Sequence, residues 1–303
     1  MKSIFLRLVK EEKGTVLVLV AAAMMTFCGF AALVTDAGLL YVNRAKLVNA
    51  LDSAVLAGAQ ELPNNTSSAL QVAENYARSN GLSDGEFTFE LDGDEKITGT
   101  ANRDVNLLFA RVLGYDSAEV PATATARTGP LVGTAGIRPF GVLWSNIQKG
   151  EPTVLRPDNA SEGSWCYLLE LGGTGTSVIK QNIEEGYPGT IEVADVIDGE
   201  RGVNMSTMKS VETLVADCNH GCTPESHKPG CSRIMIVPVV DIQQVNSSGQ
   251  VEKVRVLSFA AFFVEQYHHG PKEIRGTFID YVTLGDIDPN GLDFGLYGVE
   301  LYK

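Results

Sequence analysis

The chain opens with a long uncharged apolar run. From Gly14 to Val34 it reads GTVLVLVAAAMMTFCGFAALV, and about 20 apolar residues in helical form cross a bilayer core of roughly 30 Å. Lys2, Arg7, Lys10 and Lys13 precede the run and Asp36 follows it. Basic flanks mark the cytoplasmic side, and Glu11 and Glu12 count for little in that rule. The pattern therefore predicts a cytoplasmic N-terminus and an exterior remainder. A cleaved signal peptide has an apolar stretch of about 7–15 residues ending at a small-residue site. This run is longer, and the following TDAGLLYVNRAKL continues as a helix. Leu40, Leu47, Leu51, Val55, Gly58 and Leu62 then recur at helical steps. Ala50, Ala54 and Gly58 form a small-residue row that admits close approach of another element. Pro63-Asn64-Asn65 ends the element. One helix from about Thr15 to Glu61 would be roughly 70 Å long, half in lipid and half outside.

The periodicity then shortens. Thr66 to Gly81 reads as a helix capped by Ser67 or Ser68. Glu86 to Leu91 alternates as a strand, Asp92-Gly93-Asp94-Glu95 turns, and Lys96 to Asn102 returns as its partner. Val105 to Leu113 reads as a short helix and Glu119 to Thr128 as another strand, with a boundary at Gly129-Pro130. From Leu131 onward helical periodicity nearly vanishes. Short β-rich runs (164–171, 190–196, 234–242, 251–264, 274–282) are separated by Gly, Pro and Asn, with one helix at 206–218. The aromatics of Ser258 to Val264 read as core. The predicted organisation is a cytoplasmic tail (1–13), a transmembrane helix (14–34), a helix extension with a small α+β module (35–130), and a β-rich, sandwich-like domain (131–303). The fold class is α+β.

Composition narrows the function. Formal net charge is −13, which argues against nucleic-acid binding, since phosphate contacts need clustered Lys and Arg. The 44% apolar content is that of a folded protein.

The sharpest local chemistry is the cluster Cys218-Asn219-His220-Gly221-Cys222, followed by His227 and Cys231. With Cys166, four cysteines lie beyond the anchor. An even number in an exported domain favours disulfides. Free or partly reduced thiols are a second reading, and three cysteines with one of the two histidines would instead make a zinc site, although the spacing lacks paired C-x2-C knuckles. Cys28, preceded by Met25-Thr26-Phe27, does not fit a lipidation site. Asp286, Asp288 and Asn290 begin like a calcium loop, but Tyr297 stands where an EF-hand needs a bidentate Glu, so a polar turn is the expectation. His268 and His269 read as loop histidines. No catalytic motif is present in the sequence, and neither an enzyme activity nor a cofactor is expected.

Gly14, the apolar run, Asp36, Gly38, Tyr41, Arg44, Leu47, Asn49, Ala50, Asp52, Ala54, Leu56, Ala57, Gly58 and Ala59 form a combined pattern. It resembles the N-terminal segment of TadE/TadG-like proteins of tight-adherence, Flp-type pilus systems. Phe109 to Gly114 and the alternating Val120-Ala122-Ala124-Ala126 strand are similar as well. Prepilins cut by the prepilin peptidase carry a Glu five residues after the cleaved Gly; here Leu19 stands there. The D-x-S-x-S metal motif of von Willebrand A domains, carried by many TadG-like members, does not occur, and Asp158 to Ser164 has the wrong spacing. The resemblance thus implies a permanently anchored, TadG-like accessory protein with a structural or adhesive role. Its partners would be the membrane, which it crosses once, pilus or secretion-machinery proteins, and further copies of itself through the N-terminal helix. Two other readings stand beside it: an exported metal-dependent hydrolase using the Cys/His cluster, and a secreted binding module released by signal cleavage.

Overall fold

The computed structural model describes residues 12–62, 65–157, 166–200 and 205–302. The basic residues of the tail (Lys2, Arg7, Lys10), the Pro63-Asn64 helix stop and the Asp158–Ser164 segment lie outside them. The described residues divide into two compact units. One comprises the chain through Val55 with Ala73–Glu90 and Thr98–Thr125; the other comprises Leu56–Val72, Leu91–Ile97 and Ala126 onward.

A single helix, α1 (Glu12–Ala59), runs for 48 residues, roughly 70 Å at 1.5 Å per residue. Its two halves differ in burial. Val16 through Val34 leaves Leu17, Met25, Phe27, Phe30 and Leu33 largely exposed. Further along, Leu47, Ala50, Leu51, Ala54 and Val55 are buried, so the stripe read from the sequence is the face that packs. To the first unit belong the second half of α2 (Thr66–Ser79), whose Ala73 and Ala77 are buried, most of strands β1 (Phe87–Asp92) and β2 (Lys96–Asn106), and the first half of β3 (Ser117–Thr134), the three strands adjacent in that order. Burial along β2 and β3 alternates, the signature of strands with one face on a core. Gly99 of β2 allows the close approach: a Cβ there would stand 2.6 Å from the Phe89 ring and 3.1 Å from Leu51.

Several local expectations change. The α2 cap is Asn65, whose Oδ1 accepts from the N–H groups of Ser67 (3.0 Å) and Ser68 (3.1 Å); both serines lie inside the helix. Val105 and Asn106 finish β2, and only Ala110–Leu113 forms a 3-10 turn. β3 passes through Gly129-Pro130 without a break. Glycine and proline there stop no strand, because extended backbone suits both.

A bidentate pair ties the first unit's turn to its sheet. Arg103 Nε and Nη2 donate to Glu86 Oε1 (2.8 Å) and Oε2 (2.9 Å), and Nη2 also donates to Gly81 O (3.0 Å). The Arg103 guanidinium, helped by the Ser83 N–H, pulls the Glu86 carboxyl down to about 2 from 4.5. Between those values the unfolded chain binds a proton that the folded chain does not, so stability falls as pH falls. Acid titration of wild type should therefore lose stability between about pH 4.5 and 2, and Glu86→Gln should flatten that limb when denaturant midpoints are compared. An unchanged slope in the variant would remove the pair from the account.

The second unit is built on a mixed sheet of β5 (Pro152–Leu155), β11 (Glu273–Ile279), β10 (Val251–His268), β9 (Ile234–Val245), β4 (Phe140–Leu143) and β6 (Cys166–Leu168), adjacent in that order. β10 runs antiparallel to β9 and β11, while β4 runs parallel to β9, with Val142 opposite Val239. β8 (Val196–Asp198) pairs with β10. The apolar run of β10 is continuous because both faces are covered. Ala260, Phe262 and Val264 join one core with Met235, Val237 and Val239. Helices α3 (Thr176–Glu184), α4 (Met205–Met208) and α5 (Ser210–Ala216) close that face through Ile179, Ile183, Met208, Val211 and Leu214. Phe259, Ala261 and Phe263 join the opposite core with Leu131 of β3 and Leu296 of β14 (Leu296–Tyr302). That face is covered by the end of β3 with β14, β13 (Asp286–Ile287), β7 (Ile191–Glu192) and β12 (Tyr281–Val282). The sandwich expectation is correct for that side. The other side is a helical layer, and α3 carried no distinguishing signal because its nine residues sit in a Gly-rich, β-like stretch.

Candidate functional site

Two arrangements gather residues singled out in the sequence. The first lies on α1 two residues beyond the apolar run. Asp36 is 6% exposed, and its carboxylate faces the backbone at the start of the 3-10 turn. Oδ1 accepts from Leu108 N (2.8 Å); Oδ2 accepts from Phe109 N (3.1 Å) and Ala110 N (2.7 Å). These N–H groups begin a turn and have no partner within it, and an anion is favoured at such an end. Burial alone would raise the Asp36 carboxyl, but the three donors outweigh it and hold it below the ordinary value. Asp36 therefore clasps the loop between β2 and β3 to the helix.

The clasped loop is apolar and exposed. Val112 is 87% exposed and Leu113 79%, and Leu108, Phe109 and Tyr115 are also open. Arg111 pairs with Asp116 at 3.6 Å. Gly114 closes the turn with positive φ, its N–H donating to Arg111 O at 3.0 Å. The other motif positions of α1 divide by face. Gly58 is buried with the packing stripe, Asp52 is half-buried, and Gly38, Tyr41, Arg44 and Asn49 are exposed. Gly14 lies in the first turn of α1.

The second arrangement is the cysteine cluster. The Sγ atoms of Cys218, Cys222 and Cys231 lie within 4.8 Å of one another, with Cys218 and Cys231 at 3.5 Å. All three carry free thiols. The backbone N–H groups of His220 and Cys222 pull the Cys218 thiol down to about 7. Burial and the neighbouring sulfurs push Cys231 up to about 12, so Cys218 gives up its proton first. Cys166 is not part of this group. It is fully buried on β6 in the helix-covered core, whereas the three belong to the opposite core, and burial raises its thiol. The four candidate cysteines thus fall into a trio and a separate buried thiol, with the sheet between them. His220 is exposed; His227 is half-buried with its ring against Phe263 and Tyr281.

Asp286, Asp288 and Asn290 form no grouped oxygen site among the described residues. Asp286 is exposed on β13, while Asp288 Oδ1 accepts from Asn290 N at 2.9 Å and Asp288 O from Gly291 N at 2.8 Å. This is an Asx turn, and the turn's own backbone uses the carboxylate. His268 ends β10, and His269 pairs with Glu212 of α5. One network was not legible beforehand. Lys149 Nζ meets Asp280 Oδ1 (2.9 Å), Tyr297 OH (3.2 Å) and Asp293 Oδ2 (3.5 Å). Lys149 is more than a hundred residues from the other three, and no spacing rule links it to them.

Residues 14–61 match the Tad family model, described as "Putative Flp pilus-assembly TadE/G-like". The matched segment contains the apolar run, Asp36 and the packing stripe, and ends within the turn after α1. No curated protein and no solved structure matches the chain.

Proposed function

We propose that this chain, with its TadE/G-like N-terminal segment, is a bitopic accessory component of Flp-type pilus assembly with a structural and recognitional role and no catalysis. One observation carries the reading: the matched segment is, as far as Ala59, one continuous helix whose first half turns large apolar side chains outward on all sides. An amphipathic core helix would hide one stripe of that half; lipid leaves no such stripe. The cationic flank supports a cytoplasmic N-terminus, with both units outside. The exposed Gly38, Tyr41, Arg44 and Asn49 are left for lateral contacts, with pilus-machinery proteins or another copy of the helix.

The clasp gives the anchor a second contact with the bilayer. Asp36 fixes the 108–115 loop beside α1 where the apolar run ends, which is the depth of the lipid headgroups. Its apolar side chains and Arg111 are the composition that settles into that interface.

Alkaline carbonate extraction and protease treatment of wall-stripped cells test the proposal. The full chain should stay with the membrane pellet and lose its exterior units to added protease. Release into the carbonate supernatant, or exterior units that stay protected in the wall-stripped cells, would overturn it.

A further inference from the structure

We propose that Cys218, Cys222 and Cys231, with His227 as the fourth ligand, bind a zinc ion that fastens the 218–233 loop to the sheet.

Parity comes first. Four cysteines beyond the anchor could form two disulfides, but Cys166 is sequestered in the other core. Three thiols remain together, and one disulfide among them would strand the third. A metal uses all three. The geometry suits that use: in a tetrahedral site with Zn–S of about 2.3 Å the sulfurs stand about 3.8 Å apart, and here all three lie within 4.8 Å with one pair at 3.5 Å.

The backbone is arranged to receive thiolates. The N–H groups of His220 and Cys222 point to Cys218 Sγ, and that of Arg233 to Cys231 Sγ. Such donors stabilise ligating sulfur as the surroundings of a metal site do. Gly221 and Gly230 take positive φ beside Cys222 and Cys231, the tight turns that bring the sulfurs inward.

His227 completes the set in sequence and in chemistry. The run is C-x3-C-x4-H-x3-C, and the four positions span one loop. His227 Nδ1 lies 3.2 Å from Pro224 O, so with the proton on Nδ1 it donates there and leaves Nε2 as the metal-binding nitrogen. The imidazole stands outside the 4.8 Å sulfur group, and ligation turns it inward from its place against Tyr281. His220, exposed on the same loop, is the competing fourth ligand.

The benefit is structural. The loop has no helix or strand between α5 and β9. It is held by Cys222 in the core, by Ser232 Oγ donating to Leu214 O (2.8 Å) and by Gly230 N donating to Tyr281 OH (3.1 Å). A metal closing it contributes folding free energy, and binding releases the thiol protons.

The test uses the full chain purified in detergent under reducing, anaerobic conditions, with zinc content measured and cobalt(II) as a spectroscopic probe. About one zinc per chain is expected. Cobalt should give an intense thiolate-to-metal charge-transfer band and the visible bands of a tetrahedral S3N site. Cys222→Ser and Cys231→Ser should each reduce zinc to background, while Cys166→Ser retains it. His227→Ala should alter the cobalt bands where His220→Ala does not; the reverse result would overturn His227 as ligand. Zinc content that survives both Cys222→Ser and Cys231→Ser would overturn the site. So would wild-type protein that binds no cobalt with its thiols free, or a disulfide between two of the three cysteines in chains alkylated directly in isolated membranes.

Discussion

Replacing Asp36 with Ala should free the 108–115 loop while leaving the helix in place. Three N–H groups lose their acceptor at once (Leu108, Phe109 and Ala110), and no side chain within the 3-10 turn caps them. Hydrogen exchange at those amides should speed up by about tenfold or more, because local opening no longer breaks charge-assisted bonds. Asp36→Asn should fall between, since its amide keeps one acceptor oxygen and turns a donor toward the N–H groups. Asp52→Ala, at a half-buried acidic position on the same helix, is the control and should leave these amides unchanged. In lipid vesicles a Leu113→Trp reporter should be quenched by bromine-labelled acyl chains, and Asp36→Ala should weaken that quenching. Unaltered exchange would remove the clasp; unquenched Trp with the clasp intact would remove the bilayer contact alone.

Gly276→Ala should be the most damaging small substitution in the second unit. Gly276 sits on β11 opposite Val264, next to the register shift between Val264 and Gln266. A Cβ there would stand 2.0 Å from the Phe263 carbonyl oxygen and 2.8 Å from the Phe262 ring. The carbonyl belongs to the sheet backbone and the ring is locked in the core, so neither yields cheaply. The cost should be about 3 kcal/mol or more, which for a unit of this size lowers Tm by roughly 6–12 °C. Gly270→Ala, with nothing within 4 Å of the added carbon, should be near neutral. A Gly276→Ala protein melting with wild type would mean that β10 and β11 part locally at little expense.

Much of this fold is legible one residue at a time. The 3.6-residue stripe from Leu47 to Val55 names the buried face of α1, and the alternation in β2 and β3 names theirs, because each pattern reports burial on a single element. The continuous apolar run of β10 is also legible as a buried strand. What covers each of its faces is not, since that depends on strands and helices distant in the chain. The helix expected at 206–218 is present as α4 and α5, but α3 and the packing of all three on β10 were missed for that reason, as was Asn65 as the α2 cap, where neighbouring residues offered equivalent side-chain oxygens.

For the candidate sites the division is sharper. The sequence determines that about 20 uncharged residues can cross a bilayer, that an acidic residue follows them, and that Cys218, Cys222, His227 and Cys231 share one loop. These are properties of composition and short spacing, which need no fold. Only the tertiary structure decides that Asp36 meets Leu108, 72 residues away. It alone decides that Cys166 lies across the sheet from the other three thiols. Hydrogen bonds act over about 3 Å, and chain separation carries no information at that range. Which donor a buried carboxylate meets, and which sulfur another sulfur can reach, is settled by how sheets and helices stack.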